Sequence, residues 1–450
     1  MTVPRLGNIA SRMLRMILCQ ISCLTCFSGT MRAQDLTKQI NAERLEQLHV
    51  AIEKLAAERL VLEPRTGPYR EVRANLHVHS LLSHDSRGKI EDIVAAAKAA
   101  RTDVLMFTEH PSDKADFFLD GHSGLRDGVL LIPGAEMKGF LVYPTESLKP
   151  FHDAEREELC RIVRNRDGLM FLSHLEERMD WLIPGLTGVE IYNTHADYKK
   201  QKRIAEAMRN PLWFLQMADL VRRYPQESLS ALQTYPDDYL KRWDELCKIA
   251  PHTGVAANDA HENVGIRLRL AADNQVIVED ALGEEVIKLN RLIVAPLLNI
   301  PKDAAEGAEL FRLQLDKYEN SLRHVGTHLL VKDLSRESVW DALTAGRAFV
   351  AFDWIADSSG FDASVISTDT PERYEIGSRM RWKPIMKIEA GSPLPCAWRL
   401  MRSGEEVAVG RGKQFECELT EPGIYRIESR LQVAGEERIW VLTNPFYIEP

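Results

Sequence analysis

Two histidines at the end of an apolar run are the first residues in the chain whose spacing could do chemistry. The run Leu76-His77-Val78-His79 places imidazoles at positions i and i+2. In a β-strand these positions point to the same face, where two neutral imidazoles can hold one divalent metal ion. A lone H-x-H pair is weak evidence, so the neighbouring segments decide its meaning.

Four later apolar runs also end in histidine or a carboxylate. Ser83-His84-Asp85 follows the first pair, and the later runs end in Thr108-Glu109-His110, Gly134-Ala135-Glu136, Ser173-His174 and Asn258-Asp259-Ala260-His261. A histidine that only fills a core needs no such recurrence, and a solvated charge would not follow an apolar run each time. Mixed sets of imidazoles and carboxylates accept Zn, Mn or Fe. The pattern therefore predicts a metal centre.

The elements that must position these residues alternate between strand and helix. Strand-like runs recur between helical stretches across residues 73–271, at 74–78, 104–108, 130–132, 169–172, 188–192 and 255–257. This alternation predicts a parallel α/β architecture, in which barrels carry their chemistry at the carboxyl ends of the strands. A helix is predicted over 35–62. From residue 353 onward, short alternating segments separated by turns predict a small β-sandwich.

The composition excludes several classes of protein. The 450 residues include 57 Lys and Arg against 66 Asp and Glu, a formal net charge of −9, and 45% are hydrophobic. Such a chain can bury a sizeable core and is not predominantly disordered. Nothing in it is basic enough to bind nucleic acid by bulk charge. No run approaches the roughly 20 apolar residues that span a bilayer.

The first 33 residues read as a secretory signal peptide. They contain four arginines and no acid, with a short apolar centre over residues 16–27 and small residues before Ala33. We expect a periplasmic or extracellular protein. Lipid anchoring at Cys26, an uncleaved anchor and a mis-assigned start codon are the alternatives. Of the later cysteines, Cys396 and Cys417 either pair in an oxidising compartment or stay as buried thiols.

Together the motifs H-x-H, T-E-H, G-A-E, S-H and N-D-A-H resemble the signature of the PHP (polymerase and histidinol phosphatase) metallohydrolases, over roughly residues 73–270. The resemblance implies a distorted (β/α)7 TIM-like barrel with two or three divalent ions at its carboxyl-end mouth. The segments 342–347 and 440–447 are similar to exported members that add a C-terminal β-sandwich. We therefore expect a linker region at 34–68, the metallohydrolase barrel at 69–350 and the sandwich at 351–450.

The resemblance also implies roles for single residues. His77 and His79 would bind one metal with Glu136 and Asp259. Glu136 would bridge to a second metal, held also by His174, and a third would be held by His84, His110 and His261. Asp259 would also serve catalysis as a ligand, and His84 or His261 could protonate a leaving group.

The sequence departs from the family pattern at two positions. Glu109 replaces the usual aspartate and would orient a ligand from outside the metal shell. Phe140 stands where a histidine of the second metal is expected. Either His195 substitutes for it, or this metal is weakly held or absent. Three arginines near the motifs could grip an anionic group, although a structural role is the simpler interpretation: Arg87, Arg178 and Arg267.

These observations favour an exported metal-dependent hydrolase that uses metal-activated water on a small anionic molecule, most simply a phosphoester. Hydrolysis of carboxyl esters, carbamates or amides is the alternative within enzymes. A degenerate barrel that serves only as a binding module is the alternative outside them.

Overall fold

The computed structural model describes residues 40–62, 65, 67–200, 211–292, 304–367 and 372–450. The predicted signal peptide, including Cys26, lies outside these ranges. None of the described helices is long and apolar enough to cross a bilayer.

The described helices pack against one another and against the sheets. They are α1 (Ala42–Glu58), α2 (Ile90–Ala99), α3 (Arg156–Arg164), α4 (Thr194–Lys200), α5 (Pro211–Arg223), α6 (Pro225–Ser230), α7 (Asp237–Ile249), α8 (Tyr318–His324) and α9 (Arg336–Ala345), with short 3₁₀ turns at Lys149–Phe151 and Leu175–Glu177. The predicted N-terminal helix begins at Ala42, because the Asn41 side chain accepts a hydrogen bond from the Arg44 amide and caps it.

The first nine strands supply the predicted ligand positions. They are β1 (Arg70–Val78), β2 (Val104–Phe107), β3 (Gly124–Arg126), β4 (Val129–Ile132), β5 (Ala135–Met137), β6 (Phe140–Tyr143), β7 (Leu169–Leu172), β8 (Gly188–Asn193) and β9 (Thr253–Ala257). Every residue of β2, β4, β7, β8 and β9 is buried, as expected for parallel strands covered on both faces.

These strands form two sheets that meet at their carboxyl ends. β1, β2 and β4 are parallel neighbours in one sheet, and β7, β8 and β9 are parallel neighbours in the other. Single parallel bridges join the sheets at Val78–Ala260 and Glu109–Ala135. The bridges bring the strand ends that carry the motifs around one opening.

The α/β class is confirmed, but continuous closure into a TIM-like barrel is not seen among the described residues. The reason is strand pairing at β1. Strand β14 (Gly326–Val331) pairs antiparallel with β1 from Arg70 to Ala74, so most of that edge is taken and only the end of β1 reaches the β9 side.

The C-terminal region is rich in strands, as predicted, but it continues the sheet of β1. Strand β15 (Ala348–Ala351) pairs with β14 on one side and with a C-terminal strand on the other, and the predicted boundary at 350/351 falls inside it. The remaining strands are β16 (Asp362–Ser367), β17 (Arg373–Glu375), β18 (Arg379–Arg381), β19 (Met386–Arg402), β20 (Glu405–Glu418), β21 (Gly423–Val433), β22 (Glu436–Thr443) and β23 (Phe446–Glu449).

A separate four-stranded antiparallel sheet follows β9. Its strands are β10 (Gly265–Ala271), β11 (Gln275–Asp280), β12 (Glu285–Asn290) and β13 (Glu309–Gln314), in the order β12-β11-β10-β13. On β10 the apolar residues are buried and the residues between them are half-buried, so one face packs on the protein and the other carries polar side chains.

Cys396 and Cys417 are free thiols. In the β19–β20 pair, Cys396 lies opposite Gly412, five positions from Cys417. That offset is on the order of 17 Å along a strand, far beyond the reach of a disulfide. Of the two alternatives for this pair, free thiols are found, but only Cys396 is buried and Cys417 is partly exposed.

Candidate metal centre

Main-chain hydrogen bonds fix the end of β1 against the segment after β9. The His79 amide donates to the Ala260 carbonyl at 3.0 Å, and the Ala260 amide donates to the His77 carbonyl at 3.1 Å. His77 and His79 are fully buried. Residues from two distant parts of the sequence are thereby held in register at one strand end.

Two of the motif residues have left-handed backbone. His174 has a φ of 45° and Asp259 a φ of 51°. This region is unfavourable for residues with a Cβ, and such strain concentrates at functional sites. At both positions the conformation turns the chain sharply after a buried strand.

Eight side chains form two groups of metal-ligand type, and in each group the ligand atoms lie within 4.8 Å of one another. The first group, called here site A, is His79, Asp85, His110 and His261. The second group, called here site B, is His77, Glu136, His174 and Asp259.

Two carboxylates connect site A with site B. Glu136 places Oε1 3.1 Å from His174 Nε2 and Oε2 3.7 Å from His79 Nε2. Asp259 places Oδ1 3.1 Å from His77 Nε2 and 3.5 Å from His79 Nε2. Each carboxylate thus contacts imidazoles of both sites, which is the arrangement that lets one side chain serve two cations.

Four buried atoms of these groups have no hydrogen-bond partner of acceptable geometry among the described residues: His79 Nε2, Asp85 Oδ1, Asp259 Oδ1 and His261 Nε2. Buried polar atoms are normally paired, and leaving one unpaired costs free energy. All four are atoms that ligate metals. The donor set therefore fits divalent cations.

Outer contacts fix the imidazoles so that Nε2 faces the site. His77 Nδ1 lies 2.7 Å from Oε1 of the buried Glu190. Glu190 Oε2 also accepts from the His174 amide at 2.7 Å. In His261, Nδ1 lies 2.9 Å from the Asp259 carbonyl. Metal-binding histidines commonly engage their second nitrogen in this way.

Glu109 reaches His79 through a serine. Its Oε2 accepts from Ser83 Oγ at 2.7 Å, and the same Oγ lies 3.1 Å from His79 Nδ1. Glu109 also accepts from the Ser80 amide. The geometry agrees with the expectation that Glu109 orients a ligand from outside the two sites.

The electrostatics of the cluster keep its carboxylates ionised. Burial alone would raise the pKa of Glu136, but His77 and His174 outweigh it and hold that pKa well below its usual value. His77 and His261 do the same for the pKa of Asp259. Burial and the neighbouring His261 lower the pKa of His79 to about 3, so this imidazole is neutral and ready to ligate.

Both sites open into one cleft of about 470 Å³. Two cationic side chains, Lys138 and Arg178, line it. Arg178 Nη1 donates to the carbonyls of Ser173 and His174 at 3.0 and 3.1 Å, and its guanidinium lies 5.4 Å from the Trp181 ring. The cleft can therefore receive an anionic group beside the clustered ligands.

Seven of the eight metal ligands predicted from the sequence lie in the two sites, and one does not. The side chain of His84 is 79% exposed and lies outside both groups, with its ring centre 5.1 Å from that of His110. Its neighbour Asp85 occupies the position in site A. Sequence analysis did not select Asp85; the signal for it was its place beside His84, in a loop where either side chain could turn inward.

The structure also divides the first pair. His77 belongs to site B and His79 to site A, although they were predicted to share one metal. Phe140 is buried with its ring centre 5.8 Å from that of Trp181, so it contributes packing. His195 places Nδ1 3.5 Å from Asp259 Oδ2, at the border of site B.

Comparison with known proteins agrees with the motifs. Residues 75–224 match the family model of the PHP domain. The chain carries a PHP domain. The resemblance inferred from the motifs is therefore confirmed. The matched range contains six of the eight residues of sites A and B, which are His77, His79, Asp85, His110, Glu136 and His174. The other two, Asp259 and His261, lie beyond residue 224.

Two further comparisons concern the whole chain. No curated protein matches it. A solved structure from Bacteroides vulgatus, of a two-domain protein containing a predicted PHP-like metal-dependent phosphoesterase, is 12% identical to it. The match covers 86% of this chain and 98% of that one, with a TM-score of 0.32.

Proposed function

We propose that this protein is a metal-dependent phosphoesterase that acts on a small anionic substrate with two or three divalent ions. The observation that carries the proposal is the pair of four-residue sites connected by Glu136 and Asp259 and opening into one cleft. Two ligand sets that share carboxylates are typical of hydrolases that use paired cations. The PHP domain supports the same class of chemistry.

Site A would hold one cation through His79, Asp85, His110 and His261, and site B another through His77, Glu136, His174 and Asp259. When bound, the cations lower the pKa of water toward 7 and polarise a phosphoryl oxygen. His195 stands close enough to Asp259 to complete site B, in place of the histidine for which the sequence has Phe140. Asp85 takes the ligand position for which the sequence predicted His84.

The positively charged side chains of the cleft favour a phosphoester substrate over a neutral carboxyl ester. Arg178 is held by two main-chain carbonyls, by Trp181 and by Glu177 at 3.4 Å, so its guanidinium is ordered before a substrate arrives. Lys138 lies exposed on the same cleft. An ordered guanidinium can bind two oxygens of a phosphate at once, an interaction that a neutral ester does not offer.

His84 is better placed than His261 to donate a proton to the leaving group. Both nitrogens of His261 face polar partners, Nδ1 the Asp259 carbonyl at 2.9 Å and Nε2 the Asp85 carboxylate at 3.4 Å. His84 instead lines a side opening together with His110 and Lys138. An exposed imidazole can accept and donate protons at neutral pH.

The experiment measures metal content and hydrolysis on the full chain. Elemental analysis of the purified protein is expected to find two to three ions per chain. Phosphate release from 4-nitrophenyl phosphate should disappear with EDTA and return with Zn, Mn or Fe. Faster cleavage of 4-nitrophenyl acetate than of the phosphate would establish the carboxyl-ester alternative. Less than one ion per chain and no hydrolysis would establish the binding module.

A further inference from the structure

A second cleft lies beside the metal centre, on the four-stranded sheet. It has a volume of about 280 Å³ and is lined by Arg87, Ile266, Arg267, Asp280, Ala281, Leu282, Gly283, Arg312 and Gln314. Three guanidinium groups and one carboxylate therefore face it. In a chain with a net charge of −9, this is a local excess of positive charge.

Arg87 has no carboxylate partner among the residues that the structure describes. Its guanidinium donates only to main-chain carbonyls, those of Leu282 at 3.3 Å, His84 at 3.4 Å and Ser86 at 3.2 Å. These contacts hold the side chain over the cleft and leave its charge uncompensated. Asp280, the one acid in the lining, accepts from the amides of Leu282 and Glu284 with Oδ1.

The other two arginines are direct cross-strand neighbours. Arg267 on β10 lies opposite Arg312 on β13. Like charges in this position destabilise a sheet. Arg267 shares the buried Glu279 with Arg269, so one carboxylate serves two cations there. Arg312 is paired with the exposed Glu309, at 3.0 and 2.6 Å. A bound anion would reduce the repulsion that remains between Arg267 and Arg312.

The cleft is close to the metal centre along the chain. Arg87 follows the site A residue Asp85 by two positions, and two residues span at most about 7 Å. On the far wall, Gln314 Nε2 donates to Asp316 Oδ1 at 2.6 Å, and Asp316 lines the metal cleft. The two clefts therefore approach each other at the segments 85–87 and 314–316.

We infer that the cleft of Arg87, Arg267 and Arg312 binds a second phosphate-type group of the substrate. The inference rests on the proposed function, because sites A and B would act on one phosphoryl group while this cleft holds the other. It makes the preferred substrate a molecule with two separated anionic groups. Guanidinium groups suit this role because each binds phosphate oxygens in pairs.

The binding test does not depend on catalysis. Inorganic phosphate is titrated by calorimetry into the full chain in EDTA, for the wild type, Arg87→Gln/Arg312→Gln and Arg269→Gln. We expect saturable binding to the wild type, at least tenfold weaker binding to the double variant and less than a twofold change in Arg269→Gln, whose side chain does not line the cleft. If the double variant does not fold, Arg87→Gln alone replaces it. No saturable binding, or equal binding by all three proteins, overturns the inference.

A kinetic test distinguishes a substrate group from a free phosphate effector. The ratio of kcat/KM for pentane-1,5-diyl bisphosphate to that for pentyl phosphate is expected to fall at least tenfold in the double variant and to stay within twofold in Arg269→Gln. Phosphate binding with an unchanged ratio would identify an effector site and overturn the substrate assignment. Absence of hydrolysis with intact phosphate binding would refute the proposed function and leave the anion site standing.

Discussion

Glu190 Oε1 lies 2.7 Å from His77 Nδ1, and both side chains are fully buried. The carboxylate fixes the imidazole so that its Nε2 faces Glu136 and Asp259. Its second oxygen accepts from the His174 amide and from Asn193 Nδ2. One carboxylate outside the two sites therefore sets the orientation of two ligands of site B.

Replacing Glu190 should weaken metal binding without removing a ligand. We expect Glu190→Gln to lower metal affinity roughly 10- to 100-fold, because the amide cannot support His77 with a negative charge. Competition titration with a fluorescent chelator measures the change. Glu91→Gln, at an exposed carboxylate paired with Arg126, is the control and should bind metal like the wild type. Unchanged affinity in Glu190→Gln would refute the orienting role.

Substitutions of the adjacent residues His84 and Asp85 should have different effects on metal content. Asp85→Asn is expected to lose at least one ion per chain by elemental analysis, because it removes a charged ligand of site A. His84→Gln should keep the full metal content. We expect the kcat of His84→Gln to fall at least tenfold with alkyl phosphates, whose leaving groups need a proton. With 4-nitrophenyl phosphate its kcat should fall far less. Metal loss in His84→Gln with retention in Asp85→Asn would restore the ligand set predicted from the sequence.

Ser83 and Glu109 should act as a unit on His79. Because Glu109 contacts His79 through the Ser83 hydroxyl, the effects of Ser83→Ala and Glu109→Gln on metal affinity should not add. The double variant is expected to lose little more affinity than the worse single variant. Fully additive losses, measured by the same chelator competition, would mean that the two residues act independently.

His328 should make stability depend on pH at a place remote from the metal centre. Burial alone would lower the pKa of this imidazole, but Asp353 and Glu71 raise it to about 9. Since the unfolded pKa is near 6.5, the stabilisation is complete below pH 6.5 and is lost as the pH rises through 9, a contribution on the order of 3 kcal/mol. Urea unfolding in EDTA at pH 6, 7.5 and 9 measures it.

The control for this pH effect is His328→Gln, which should show a flatter change in unfolding free energy between pH 6.5 and 9. Other titrating groups are common to both proteins, so the difference between their curves isolates His328. Parallel curves for the two proteins across this range would contradict the assignment.

Arg426 should contribute strongly to stability because it ties β21 to α7. Its Nε and Nη2 donate to the two oxygens of Asp244 at 2.8 Å each, and Nη1 donates to Glu428. We expect Arg426→Met to lower the unfolding free energy by about 3–5 kcal/mol, because the buried Asp244 is left without its cation, while Glu428 keeps Arg430. Arg411→Met, at an exposed pair with Glu437, should change it by under about 0.5 kcal/mol. Equal losses of unfolding free energy in the two variants, measured by urea unfolding, would contradict this prediction.

The sequence by itself determined the class of fold and most of the site. The alternation of strand-like and helical runs gave the α/β class, and side chains such as His110, Glu136 and His174 could be selected because each follows a buried strand. These signals are local: periodicity and residue type decide which segments become strands, and the carboxyl ends of parallel strands meet at one edge.

Only the tertiary structure decided the pairing of strands and the direction of side chains at the site. The antiparallel pairing of β14 with β1 takes an edge that barrel closure would need, and the β19–β20 register separates Cys396 from Cys417. The turn after β1 directs Asp85 inward and His84 outward. Strand register and loop direction depend on contacts between residues far apart in the chain, so no local pattern could have specified them.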